Sequence, residues 1–397
     1  MHLKLQTCGK MAILRARSLT AVLFLSFTAA HLCNAIRIPP SPPASGFTRY
    51  NMVFLGDSLT DQGNAFAMLG APNPSIYYKG RCTNGPNWVD YLTKTVKQYP
   101  QTRIRVQNYA FPGATACPSP LTRAAAPFIT DMSDQIAALT ADVASKKVRL
   151  SGSKTLVFQY LGTNDFLFFF ENLQATNGTT TQAEIAQLVR DTITCRVKGA
   201  AAIAAIQGVT DIVILPIAPL HTSPAAPPEY RPVFLAIEAF LGNETRAAME
   251  QLNKTLAAAP AGTPGAGVKI WVLGNTDWVS NGAYQVKPPF KYIDTAPCFW
   301  NPRPVIVITP GIQVCSDPED YFFYASTSGA TRTVVMPALS SMGALVSSLG
   351  KRLVSLSCLG AILSALSEDQ VHPTTRFHEW FANKGVLPRL QDLGVLP

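Results

Sequence analysis

An α/β fold with one parallel sheet covered by helices on both faces is the class this sequence predicts, and three observations carry the prediction. Apolar runs of strand length fall at 52–55, 104–108, 155–161, 211–217 and 268–273. Helical stretches near 85–98, 131–146, 182–207 and 231–258 separate them in strict alternation, which is the pattern of a parallel sheet with crossover helices. No internal repeat divides the chain beyond about residue 46, and one domain is expected.

In chain order, Met52-Val53-Phe54-Leu55 is a β-like run that ends at Gly56-Asp57-Ser58-Leu59 and continues as Thr60-Asp61-Gln62-Gly63-Asn64. A glycine lets the backbone turn without a Cβ clash, and the carboxyl edge of a parallel sheet is where α/β folds keep their chemistry. Ser58 is therefore a candidate nucleophile, although the same four residues also suit an ordinary strand-terminating turn. Asn108-Tyr109-Ala110-Phe111-Pro112-Gly113-Ala114 follows the run Ile104-Arg105-Val106, and Gly162-Thr163-Asn164-Asp165 follows Thr155 to Leu161. Asp369-Gln370-Val371-His372-Pro373-Thr374 lies near the C-terminus. In isolation Pro112-Gly113 reads as a type II turn and Asn164-Asp165 as an Asx turn. Their joint presence in this order favours catalysis.

At these four positions the sequence resembles the GDSL, or SGNH, family of hydrolases, named for the Ser, Gly, Asn and His of its blocks. The resemblance runs from about residue 49 to 384 and is interrupted once. The longer run through Asn64, and Arg81-Cys82-Thr83-Asn84-Gly85-Pro86-Asn87-Trp88-Val89-Asp90-Tyr91-Leu92, are similar to the larger secreted lipase and esterase branch. The family implies a three-layer α/β/α, flavodoxin-like fold around a central parallel sheet. It also implies an oxyanion hole made by the backbone N–H groups of Ser58 and Gly113 and the side-chain amide of Asn164. No cofactor and no metal are implied.

Residue chemistry leads to the same set. A serine hydroxyl is a poor nucleophile until a base takes its proton, and that base must be held in one tautomer by a third group. Past the N-terminal leader the histidines are His221, His372 and His378. Asp369, three residues before His372, is placed to accept from Nδ1 and leave Nε2 facing Ser58. His221 follows a strand and precedes a Pro-rich loop, so it reads as a loop residue; helix capping or surface packing is the reading for His378. No serine has the Gly-x-Ser-x-Gly elbow of the α/β-hydrolases, and there is no His-Glu-x-x-His, Cys-x-x-Cys or P-loop pattern. Phe166, Phe168, Phe169 and Phe170 either line an acyl pocket or form core, with core favoured.

Lys4, Lys10, Arg15 and Arg17 precede an apolar stretch from Leu19 to Ala30, with Cys33-Asn34-Ala35 at a cleavage-like site. Residues 1–35 thus read as a signal peptide, 36–48 as a Pro-rich connector and 49–397 as the hydrolase domain, with an extracellular destination. Sequons at Asn177, Asn243 and Asn253 agree with that route. Cys298 with Cys315 is the most natural disulfide, bracketing a Pro-rich loop. The formal charge is +9; four positive charges fall in the leader, leaving +5, and Arg332, Lys351 and Arg352 less Glu368 fall in the segment described next, leaving +3. That is no nucleic-acid footprint.

Ala325 to Glu368 separates Tyr321-Phe322-Phe323-Tyr324 from Asp369, where the family joins the two almost directly. A retained intron translated into the chain is the leading expectation, since so long an insertion is unusual in a compact domain. A mobile apolar lid and a membrane-associated hairpin are the alternatives; no stable membrane span is expected, because Lys351-Arg352 interrupts the apolar run. The expected function is a secreted serine esterase or lipase working through an acyl-enzyme on a small-molecule, lipid or carbohydrate ester. A carbohydrate acetylesterase or acyltransferase is the alternative, and a catalytically silent binding protein on the same fold is the second.

Overall fold

The computed structural model describes residues 48–74, 77–176, 179–222, 231–274, 299–300, 317, 325–326 and 372–397. The leader, the connector, Asp369, the Cys298–Cys315 pair and all of the interruption but Ala325-Ser326 lie outside the described residues.

The central sheet has five strands: β1 (Thr48–Gly56), β2 (Thr102–Asn108), β3 (Lys154–Tyr160), β4 (Asp211–Ile214) and β5 (Lys269–Val272). Their spatial order is β2-β1-β3-β4-β5 and every pairing is parallel. This is the flavodoxin-like order, whose switch point between β1 and β3 opens a crevice at the carboxyl edge. Nine helices of the described residues connect or cover the strands: α1 (Asn64–Leu69), α2 (Trp88–Lys97), α3 (Pro120–Ala125), α4 (Met132–Ala144), α5 (Thr163–Ala175), α6 (Gln182–Ala204), α7 (Arg231–Ala258), α8 (Thr375–Trp380) and α9 (Leu387–Asp392). A π-helical turn, Phe381–Val386, joins α8 to α9. A short parallel ladder pairs Phe299 with Ala325 and Trp300 with Ser326.

Alternation along β1 sends its side chains to opposite faces, and both faces are buried. Met52 and Phe54 join Trp88, Leu92, Phe158, Phe377, Phe381 and Leu390 on one side. Val53 and Leu55 join Met132, Leu139, Val157, Ile203, Met249 and Leu256 on the other. The first layer is therefore α2 with the C-terminal helices, and the second is α4, α6 and α7. Capping boxes start three of these helices where the sequence offers them: Asn87 with Asp90, Asp131 with Asp134, and Thr181 with Glu184.

The expected strand at 211–217 stops at Ile214. Pro216 and Pro219 have no N–H to give a ladder, so the chain leaves the sheet there. The Phe run lies in α5, and Phe166 is fully buried against Ile217, Leu220 and Phe234 in a third cluster. Phe170 meets Phe234 edge-on with centroids 4.9 Å apart. Core is thus the role of these two rings. No helix among the described residues is long and apolar enough to cross a membrane.

Candidate active site

The turn after β1 is held from both sides of one peptide-bearing residue. The N–H of Gly56 donates to Gln135 Oε1 at 2.9 Å, and Gln135 Nε2 returns a hydrogen bond to the Gly56 carbonyl at 2.8 Å. A Cβ at Gly56 would fall 2.5 Å from Thr60 Cβ, so only glycine lets the chain fold back this tightly. Beyond it, the N–H groups of Thr60 and Asp61 donate to the Asp57 carbonyl at 3.0 and 2.9 Å, while Leu59 N–H donates to Asp57 Oδ1 at 3.0 Å. Asp57 is buried and serves as the turn's internal acceptor; burial pushes its carboxyl up to about 7 despite those donors. Ser58, at the apex, is half-buried.

The turns after β2 and β3 are sewn to each other. Gly113 has φ 79°, a left-handed conformation that favours glycine. Gly162 has φ 127°, and a Cβ there would lie 2.8 Å from Ile217 Cγ2. Asn164, in the first turn of α5, donates from Nδ2 to the Ala114 carbonyl at 2.9 Å, which fixes its amide beside the Gly113 turn. Its neighbour Asp165 accepts from the N–H groups of Ala116 and Cys117 at 2.7 and 2.9 Å. Burial nonetheless raises the Asp165 carboxyl to about 6. A disulfide between Cys117 and Cys195 then ties the Gly113 loop to α6. Among the described residues no hydrogen bond takes up the N–H of Ser58 or of Gly113.

Three strands that lie side by side in the order β2-β1-β3 therefore deliver Gly113, Ser58 and Asn164 to one edge. Over residues 52–384 the chain matches the family model of the GDSL-like lipases and acylhydrolases. It belongs to that family. Membership supports ester hydrolysis as the activity class. Among solved structures, an acetylxylan esterase from Geobacillus stearothermophilus is 16% identical over 52% of this chain and 75% of its own, with a TM-score of 0.30. An α/β hydrolase enzyme from the metagenome of Lake Arreo, Spain, is 17% identical over 51% of this chain and 72% of its own, with a TM-score of 0.28. No curated protein sequence matches the chain.

In this GDSL-like hydrolase the histidine block stands on the C-terminal layer and not at a strand end. His372 is buried just ahead of α8, and burial, with the neighbouring His378 as a second cause, pulls its imidazole down to about 3. Its ring is accordingly neutral, the form a base must have. His378 is not a surface residue as expected: it is 3% exposed, inside the layer of α2 and α8. Burial lowers its imidazole to about 3 as well, with the charge of Asp90 acting in the opposite sense.

His221 is in a turn, as expected, but it has a partner that sequence reading missed. Its Nδ1 lies 2.7 Å from Glu238 Oε2, and its backbone N–H donates to Glu238 Oε1 at 2.8 Å. Glu238 is fully buried on α7 between Phe234, Ile237 and Leu241. A carboxylate inside an apolar helical stripe was the available signal, because a buried charge requires a partner. Of the sequons, Asn243 is exposed, Asn177 lies outside the described residues, and Asn253 is committed to the fold through its Oδ1, which accepts from the Ile270 N–H of β5 at 2.9 Å.

Proposed function

We propose that the protein is a secreted serine hydrolase that cleaves carboxylic esters through an acyl-enzyme. Ser58 Oγ attacks the ester carbonyl carbon while His372 takes its proton. The resulting oxyanion is held by the N–H groups of Ser58 and Gly113 and by the Asn164 amide. Collapse breaks the bond to the alcohol, which leaves with the proton from His372; water then attacks the acyl-enzyme by the same path, releasing the acid and restoring Ser58. Asp369 orients the imidazole.

The observation that carries this reading is the convergence of Ser58, Gly113 and Asn164 at the β1/β3 switch point with two backbone donors uncommitted. Donors aimed at a developing oxyanion contribute little to folding but several kcal/mol, about 3, to the transition state. The basic, apolar N-terminal stretch and the Cys117–Cys195 disulfide support an oxidising, extracellular destination.

The test is a substrate panel run on the full chain: short and long p-nitrophenyl esters beside acetylated xylan. Hydrolysis of the nitrophenyl esters with a phosphonylated Ser58 after fluorophosphonate treatment is the expected result. Release of acetate from xylan alone would move the assignment to a carbohydrate acetylesterase, and no turnover with no label would leave a silent member of the fold.

A further inference from the structure

We propose that Thr83 and Asn84 are positioning residues that set His372 against the Ser58 turn. The proposal rests on the reading of Ser58 and His372 just given. His372 is separated from the nucleophile by most of the chain, and it does not stand on a strand end as Ser58 and Asn164 do. Something other than the sheet must therefore register the two.

The segment 81–91 meets both. On the histidine side, Thr83 Oγ1 donates to the Pro373 carbonyl at 3.0 Å, the peptide unit next to His372. Asn84 Oδ1 accepts from the Thr375 N–H at 2.8 Å. Thr375 Oγ1 donates to the Pro86 carbonyl at 2.7 Å and lies 2.9 Å from the Tyr91 hydroxyl. Thr83 is 1% exposed, so its bond to Pro373 forms away from competing water, while the bonds of Asn84 and Thr375 are partly buried. Gly85 completes the fit, because a Cβ there would fall 2.6 Å from Thr375 Cβ and Oγ1.

On the nucleophile side, Asn87 Nδ2 donates to the Asp61 carbonyl at 2.8 Å and Trp88 Nε1 to Thr60 Oγ1 at 3.3 Å. Gln62 Nε2 donates to Asp90 Oδ1 at 2.7 Å, and Arg81 holds the same carboxylate through Nε at 3.1 Å and its terminal nitrogen at 2.9 Å. One rigid piece of backbone thus has the Ser58 turn bonded to one flank and Pro373 and Thr375 to the other. Neither side chain caps α2, which Asn87 and Asp90 already serve; Asn84 instead takes the first backbone N–H of α8, whose own N-cap residue Thr374 makes no side-chain cap bond. Their side chains are spent on the histidine segment instead.

Inactivation by a fluorophosphonate isolates this function. Ser58 Oγ displaces fluoride from phosphorus as His372 takes the hydroxyl proton, with little demand on an acyl pocket. Thr83→Val and Asn84→Ala should each slow inactivation by about 10- to 100-fold and lower kcat with KM nearly unchanged, the cost of a misplaced base. Asn84→Asp keeps the acceptor for Thr375 N–H and should restore the parental rate to within about threefold, which a merely structural role would not require. Thr83→Val is nearly isosteric and decides the matter if Asn84→Ala does not fold. Folded Thr83→Val reacting at the parental rate, or Asn84→Asp as slow as Asn84→Ala, would overturn the proposal. His372→Ala is measured alongside: if it reacts at the parental rate, His372 is not the base and the assignment above fails, whereas a dead His372→Ala beside an unaffected Thr83→Val sinks only the bracket.

Discussion

The two halves of this site are built by different means. Ser58, Gly113 and Asn164 stand at the ends of neighbouring parallel strands, and their turns are bonded directly to one another, Phe111 N–H to the Gly56 carbonyl and Asn164 Nδ2 to the Ala114 carbonyl. His372 sits on a C-terminal layer that packs Phe377, Phe381 and Leu390 onto the sheet face, and its neighbours Pro373 and Thr375 are hydrogen-bonded by side chains 290 and 291 residues away in sequence. The first half inherits its geometry from a hydrogen-bonded ladder. The second depends on packing and a few long-range polar contacts, so it is the half that can be misplaced without unfolding the protein.

The largest effect expected from breaking that comparison is at the ladder end. Ser58→Ala removes the proposed nucleophile from a half-buried turn whose own hydrogen bonds do not involve the hydroxyl. Ester hydrolysis should fall by several orders of magnitude while the melting temperature stays within a degree or two, read by thermal denaturation beside steady-state kinetics. Retained activity would remove Ser58 from the mechanism.

Asn164→Ala comes next. Its loss should lower kcat by about 10²- to 10³-fold with KM little changed, as for a donor acting in the transition state. A change in KM alone would place Asn164 in ground-state binding and weaken the equivalence of the three strand-end residues.

At the histidine end the pH profile is informative. His372 is pulled from an ordinary 6.5 down to about 3 by burial and then by His378. A base so shifted stays neutral as the medium becomes acid, so the acid limb of kcat/KM should have its midpoint well below 6.5. The same shift works against stability as pH falls from 6.5 toward 3, where the unfolded chain binds a proton that the folded chain does not. An acid limb at 6.5 or higher would show that water reaches His372 and that the C-terminal layer opens in solution.

The smallest effect is expected from excising Ala325 to Glu368. If packing and the 81–91 bracket hold His372, its connection to the preceding chain matters little, because loop closure costs grow slowly with length. The shortened chain should hydrolyse short esters at least as well as the parent. A deletion that abolished activity on long-chain esters while sparing short ones would identify that segment as a lid.

Much of the ladder half was legible without coordinates. All four expected helices and all five strands of the sheet lie where periodicity put them, because two-sided burial leaves a continuous apolar run and glycine stands in the turns after β1, β2 and β3. The fourth strand is shorter only because prolines end its ladder. Less of the histidine half was visible. The Arg81-to-Tyr91 run could be recognised as a family signature, but nothing in it announces that Thr83 and Asn84 face residues 373 and 375. His378 read as a helix-capping or surface residue because an isolated histidine carries no mark of burial. The Glu238 partner of His221 and the Cys117–Cys195 pair were likewise out of reach, since cysteine spacing does not encode connectivity.

By itself, then, the sequence determined the fold class, the strand ends that carry Ser58, Gly113 and Asn164, and the family to which the chain belongs. Those features are local: alternation, a glycine and a turn are each written within a few residues. Only the tertiary structure decided that the Ser58 and Gly113 N–H groups are left uncommitted, which residue pins the Asn164 amide, and what binds the segment after His372. Those depend on contacts between segments far apart in the chain, and the free energy that selects them comes from burial and hydrogen bonding summed over the whole core rather than from any one stretch of residues.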